Sequence, residues 1–166
     1  MVEFLNFENK LDLLDQARKE LIIADHMLYV TFPLVKEKTL FLNSLEHVNL
    51  AIKFMVKAFL EREEKMKNIS RLPKNEVFLI NFFTKEYEAR LGLNKKTLEA
   101  ITLLPKLVDA KNRKQYFFES NRDYFIIKEG FGTRRIEFQK IKDFLNEAKK
   151  LYKKISDDLN KTDWMF

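Results

Sequence analysis

The chain reads as a mainly α protein: an antiparallel bundle of four to five helices carrying a small β-hairpin or three-stranded meander near residues 115–136. Three observations predict this. Apolar residues recur at alternating three- and four-residue steps over most of the chain, the period of one helix face. Glycine and proline occur only three times each among 166 residues, too few for the many tight turns of an all-β sandwich. One stretch alone, Lys111 to Arg135, carries short β-prone runs set between turn residues. A length of 166 residues with 46% hydrophobic content and sixteen phenylalanines suits a single domain, 1–166, with a sizeable core.

The first helix is expected from about Asn9 to Thr31, where Leu14, Ala17, Leu21, Ala24, Leu28 and Thr31 form one stripe. Pro33 lacks an N–H and disfavours helical angles in its predecessor, so Phe32-Pro33 is the predicted boundary. The second helix, from about Lys36 to Asn68, has a broad apolar face of Phe41, Leu45, Val48, Ile52, Met55 and Phe59, widened by Leu42, Asn49, Val56 and Leu60. So wide a face implies a central helix or one that meets a second chain. Its length implies a kink or a protruding end, and its final EREEKMKN reads as a solvated charge run leaving the core.

After the loop Ser70-Arg71-Leu72-Pro73, the run Val77 to Ile80 resembles a buried strand in isolation. The continuation to Leu91 has helical spacing and stops at Gly92, a suitable C′ residue, so the segment is read as the third helix. Asn94 caps a fourth segment with Leu98, Ile101 and Leu104, which Pro105 interrupts and Leu107, Val108 and Ala110 continue as a kinked helix. The runs YFFE and YFIIK follow, separated by the turn Ser120 to Asp123, and residues 129–133 make a second turn before Arg134-Arg135-Ile136. The last helix, about Glu137 to Asn160, carries Ile141, Phe144, Leu145, Ala148, Leu151, Tyr152 and Ile155 on one face. Trp164-Met165-Phe166 closes the chain as an apolar tail suited to a core or subunit contact.

Charge singles out the β-prone stretch. Between Lys111 and Arg135, seven Lys/Arg stand against three Asp/Glu, so these 25 residues hold most of the chain's formal net charge of +6. The same stretch holds Tyr116, Phe117, Phe118, Tyr124, Phe125 and Phe131. Cations beside aromatic faces suit a phosphate-backbone partner, although an excess of this size also serves solubility alone.

Catalytic signatures are lacking. Without cysteine there are no disulfides, thiolate metal sites or thiol nucleophiles. The two histidines, His26 and His47, form neither a zincin helix nor a recognisable triad. A paired His26/His47 site across the first two helices is one reading, and ordinary hydrogen-bonding histidines the other. Arg18 with Asp25, and Asn49 within the second helix's face, read as interhelical polar contacts or as a polar pocket between helices. The GFGT turn lacks the spacing and lysine of a phosphate loop. Glu61, Glu63 and Glu64 sit within the charge run. No cofactor and no metal site is expected. The N-terminus has no signal-peptide pattern and no run is apolar enough to span a membrane, so a cytoplasmic protein is expected, without a membrane partner.

The opening helix pair, ARKELIIADHMLYVT followed by LNSLEHVNLAIKFMVKAFLERE, resembles a HEPN-type helical bundle over residues 10–65. HEPN proteins that cleave RNA carry an Arg, four to six residues, then a His. Here seven residues separate Arg18 from His26, so the resemblance implies a degenerate Arg/His motif if the chain is a ribonuclease. The whole chain also looks like small archaeal proteins with this helix-pair opening and late hairpin, a resemblance that carries no activity.

Two further functional expectations follow from the residues. The first is a non-catalytic binding module that engages RNA or another polyanion, with Lys111, Arg113, Lys114, Arg122, Lys128, Arg134 and Arg135 on phosphates and Tyr116, Phe118 and Tyr124 stacking on bases. The second is a homodimer formed through the second helix and the C-terminal tail.

Overall fold

A computed structural model of the protein describes residues 2–163, with side chains placed for residues 12–161. The tail Trp164-Met165-Phe166 lies outside the described residues. The chain is mainly helical, with one small antiparallel sheet. In order, α1 is Val2–His26, a π-helical turn follows at Met27–Thr31, and α2 is Phe32–Val35. Helix α3 is Thr39–Lys65, α4 Glu76–Leu91 and α5 Lys95–Asn112. Strands β1 (Tyr116–Phe118), β2 (Tyr124–Glu129) and β3 (Gly132–Glu137) then lead into α6, Phe138–Asp163.

Helix α3 is central and touches α1, α4, α5 and α6. Pairings across the bundle give the directions. His47 of α3 meets Glu20 of α1, and Lys111 of α5 meets Glu46, so α1 and α5 run antiparallel to α3. Phe41 stacks on Phe138 and Arg62 meets Asp158, so α6 runs parallel to α3. The predicted stripes are the buried ones: Leu14, Ala17, Leu21, Ala24 and Leu28 on α1, and Phe41 through Phe59 on α3. Helix α4 buries Ile80, Phe83, Tyr87 and Leu91 and leaves Val77 and Phe78 exposed. That spacing identifies its apolar run as helix, not strand.

Caps set the helix ends as their chemistry requires. Asn75 accepts from the amides of Val77 and Phe78, and Asn94 from that of Thr97. Gly92 sits at φ +61° with two C-terminal carbonyls closed over it by the amides of Gly92 and Leu93. Lys67 and Lys114 take the same left-handed position after α3 and α5, where a side chain costs free energy that glycine does not.

Three expectations need correction. Pro33 is not a boundary. It occupies the first turn of α2, where its missing N–H breaks no bond; Phe32 donates instead to Met27 in the π-turn, and the chain turns at left-handed Lys36. Pro105 likewise lies inside the continuous helix α5. Helix α3 is unbroken, and its charged end leaves the core later than expected: Arg62 and Glu63 are each 1% exposed, packed against α4 and α6, and only residues 64–68 are exposed.

The meander is ordered β1-β2-β3, antiparallel throughout, over the end of the bundle where α3 and α6 begin. Its inner face bears Phe118, Phe125, Ile127 and Ile136; Phe125 is fully buried. Phe118 packs edge-on to Phe125 and Phe138, and Phe138 stacks on Phe41 with ring centroids 4.0 Å apart. An isolated sheet of this size would be marginal in water, and this aromatic column supplies the missing burial. Lys38 at the start of α3 adds a clip, donating to the carbonyls of Glu119 (3.1 Å) and Arg122 (3.0 Å) in the β1–β2 turn.

Candidate nucleic-acid interface

Strand alternation and pairing register place every side chain of the meander on one face or the other. Phe117 of β1, Ile126 of β2 and Arg135 of β3 form one cross-strand row on the outer face. Tyr124 opposite Glu137, and Lys128 opposite Thr133, flank that row on the same face. Phe117 is 43% exposed, and Lys128 and Arg135 are open to solvent. The Arg135 guanidinium lies over the Tyr124 ring, 4.1 Å from its centroid. The Tyr124 hydroxyl donates to Glu119, which fixes the ring; this bond, with desolvation, raises the hydroxyl's pKa above 10.0. The Arg135–Tyr124 pair is thus a planar cationic platform beside an exposed phenylalanine.

The β2–β3 loop has two central residues, Gly130 and Phe131, since Glu129 pairs with Gly132. Gly130 takes φ +57°, as a short hairpin loop with glycine at its first central position requires. Phe131 at the tip is fully exposed, with nothing among the described residues covering its ring.

The seven cations read from the sequence do not converge on one surface. Lys128 and Arg135 share the outer face, and exposed Arg122 lies in the β1–β2 turn at its edge. Arg134 falls on the opposite side, in the row of Ile127, with its guanidinium 2.8 Å from Glu129. Lys111 is largely covered and pairs with Glu46 at 2.9 Å; Arg113 pairs with Asp109 one helical turn back. Lys114 caps α5. Of the aromatics expected to stack, only Tyr124 is on the outer face. Tyr116 and Phe118 share the inner face with Ile127 and Phe125, edge-on to one another.

Carboxylates beside Arg134 and Arg135 do not lock these side chains. Arg135 and Glu137 are 59% and 48% exposed, and an ion pair in that setting contributes about 0–1 kcal/mol. A phosphate presented in bidentate geometry would exchange for the carboxylate.

The polar groups considered for catalysis are engaged elsewhere. Arg18 lies 3.8 Å from Asp15, Asp25 pairs with Lys149, and Thr31 hydrogen-bonds a ring nitrogen of His26 at 3.2 Å. Glu20 holds His47. Among the described residues no group of three or more His, Asp or Glu could hold a metal ion. No helix among them is long and apolar enough to cross a membrane.

A second polar cluster sits at the opposite end of α3. Glu63 accepts from Arg62 (3.0 Å), Arg90 (3.1 Å), Asn68 (2.7 Å) and Tyr87 (3.4 Å). Arg62 also reaches the backbone carbonyl of Asp158 at 2.8 Å and its carboxylate. Burial, then the neighbouring Glu63 charge, raises the Tyr87 hydroxyl above its ordinary pKa of 10.0. Helices α3, α4 and α6 meet here, joined by these hydrogen bonds and ion pairs.

No protein-family model matches the chain, and no curated protein or solved structure matches it.

Proposed function

We propose that the protein is a non-catalytic binding module whose outer sheet face engages a phosphate-backbone polyanion, single-stranded RNA in particular. The observation that carries this reading is the row Phe117–Ile126–Arg135, with Lys128 and the Arg135–Tyr124 platform beside it. Exposed aromatic and cationic groups alternate there over the reach of a few nucleotides. Bases stack on such faces at about 1–3 kcal/mol each, and cations track the backbone. The site is smaller than the cluster of seven: Arg122, Lys128 and Arg135 contact phosphates, and Phe117 and Tyr124 contact bases.

Titration of a fluorescent oligouridylate at low salt tests this. The double variant Lys128→Glu/Arg135→Glu is expected to bind at least about tenfold more weakly, and Phe117→Ala to lose about 1–3 kcal/mol. Thermal unfolding should stay nearly unchanged, because exposed substitutions rarely shift stability by more than about 0.5 kcal/mol. Equal affinity of the variants and the parent would refute the assignment.

A second reading, self-association, is favoured by a different surface from the one expected. The apolar face of α3 is covered by α1, α5 and α6 of the same chain. Exposed apolar residues concentrate instead on α1, the π-turn and α2: Ile22, Ile23, Tyr29, Val30, Leu34 and Val35, with Leu34 79% exposed. A patch of this kind marks a contact surface. Light scattering should find a dimer that Val30→Lys/Leu34→Lys converts to monomer; a monomeric parent chain removes this reading. A HEPN-like ribonuclease would require Arg18 and His26 to act together, and each is engaged locally.

A further inference from the structure

Helices α3 and α4, with the loop between them, enclose a cleft of about 400 Å³ that the sheet-face reading does not use. Its walls are apolar: Leu50 and Phe54 from α3, Leu72 from the loop, and Leu79 and Ile80 from α4. Its rim is cationic. Lys53, Lys57 and Lys74 stand around the opening against a single carboxylate, Glu76, which Lys53 already holds at 2.9 Å. Lys57 faces Glu61 only at 4.0 Å and with its side chain more than half exposed, a contact too loose to contribute measurably. Lys74 has no ion-pair or side-chain hydrogen-bond partner among the described residues.

A second cleft of about 520 Å³ adjoins the first between α3, α4 and α5 and shares Lys53, Glu76 and Ile80 with it. Its floor includes Ile101 and Pro105. The Lys53–Glu76 pair separates the two spaces.

Volumes of this order hold small organic ligands, and such sites combine apolar walls with a few polar groups that orient the ligand. A wholly apolar ligand would leave Lys57 and Lys74 without use, and a cationic one would meet them unfavourably. We infer that the cleft binds a monoanionic amphiphile, an acyl carboxylate: its chain lies over Leu50, Phe54 and Leu79, and its head group meets Lys57 and Lys74. The elements involved are separate from the sheet, so this site stands or falls independently of polyanion binding.

Calorimetric titration of the full chain with decanoate, decan-1-ol and decyltrimethylammonium, each below its aggregation concentration, decides the matter. Decanoate is expected to bind in the micromolar range, and the alcohol and the cation at least about tenfold more weakly. Lys57→Glu/Lys74→Glu should cost decanoate about tenfold and leave decan-1-ol unchanged, with the thermal transition of the parent. Absence of decanoate binding, or binding indifferent to the head-group charge or to the charge reversal, would overturn the inference.

Discussion

Replacing Glu63 by alanine is expected to lower the unfolding free energy by about 3–5 kcal/mol, the cost of breaking a buried ion pair by removing one partner. Glu63 and Arg62 are each 1% exposed, so the Arg62 guanidinium would stay in a low-dielectric site after its adjacent carboxylate was gone. Asp158 would remain as a counter-charge for Arg62 and Arg90, which keeps the loss within that range. Asn68 and Tyr87 would each lose an acceptor as well. For a chain of this length the thermal midpoint should fall by roughly 10 °C. Calorimetric unfolding measures this directly; a change under about 1 kcal/mol would mean that the cluster is solvated in solution.

The second large effect is Phe59→Ala. Phe59 is fully buried and packs edge-on to Phe83 and Tyr87, with centroids 5.6 Å and 4.8 Å away. The guanidiniums of Arg62 and Arg90 lie 5.0 Å and 5.5 Å from its centroid. The ring therefore joins the apolar seam between α3 and α4 to the charged cluster. Its removal leaves a cavity and withdraws the aromatic face from both cations, at about 3–5 kcal/mol. Phe59→Leu, which keeps most of the volume, should recover the larger part. Denaturant unfolding of both variants gives the comparison, and equal losses for leucine and alanine would exclude cavity formation as the cause.

The helical stripes were legible because core burial imposes the same three-four spacing on every helix here. That rule, carried one step further, also points to the buried cluster. Phe41, Leu45, Val48, Ile52, Met55 and Phe59 alternate by four and three, and the next position is Arg62. The residue type argued for solvent and the register argued for the core; the register prevailed because Glu63, Asp158 and the α6 backbone hold the guanidinium. Phe32-Pro33 misled for the opposite reason, since proline stops a helix only where its missing N–H breaks a bond.

Within the meander, strand period was readable but pairing register was not. Three consecutive aromatics, Tyr116-Phe117-Phe118, alternate faces, and composition cannot say which of the two sets points inward. The buried anchor Phe125 pairs with Phe118, and that places Phe118 and Tyr116 inside and Phe117 outside. The same alternation separates Arg134 from Arg135, adjacent in sequence and on opposite faces.

The salt dependence of binding tests the central claim most directly. With Arg122, Lys128 and Arg135 as the phosphate contacts, the logarithm of the affinity for oligouridylate should fall with the logarithm of salt concentration at a slope of about −2. Arg135→Gln should reduce the magnitude of that slope by about 0.7, and Arg113→Gln, away from the outer face, should leave it unchanged. A parent chain that binds no oligouridylate at low salt, or a slope that Arg113→Gln changes as much as Arg135→Gln, would contradict the account.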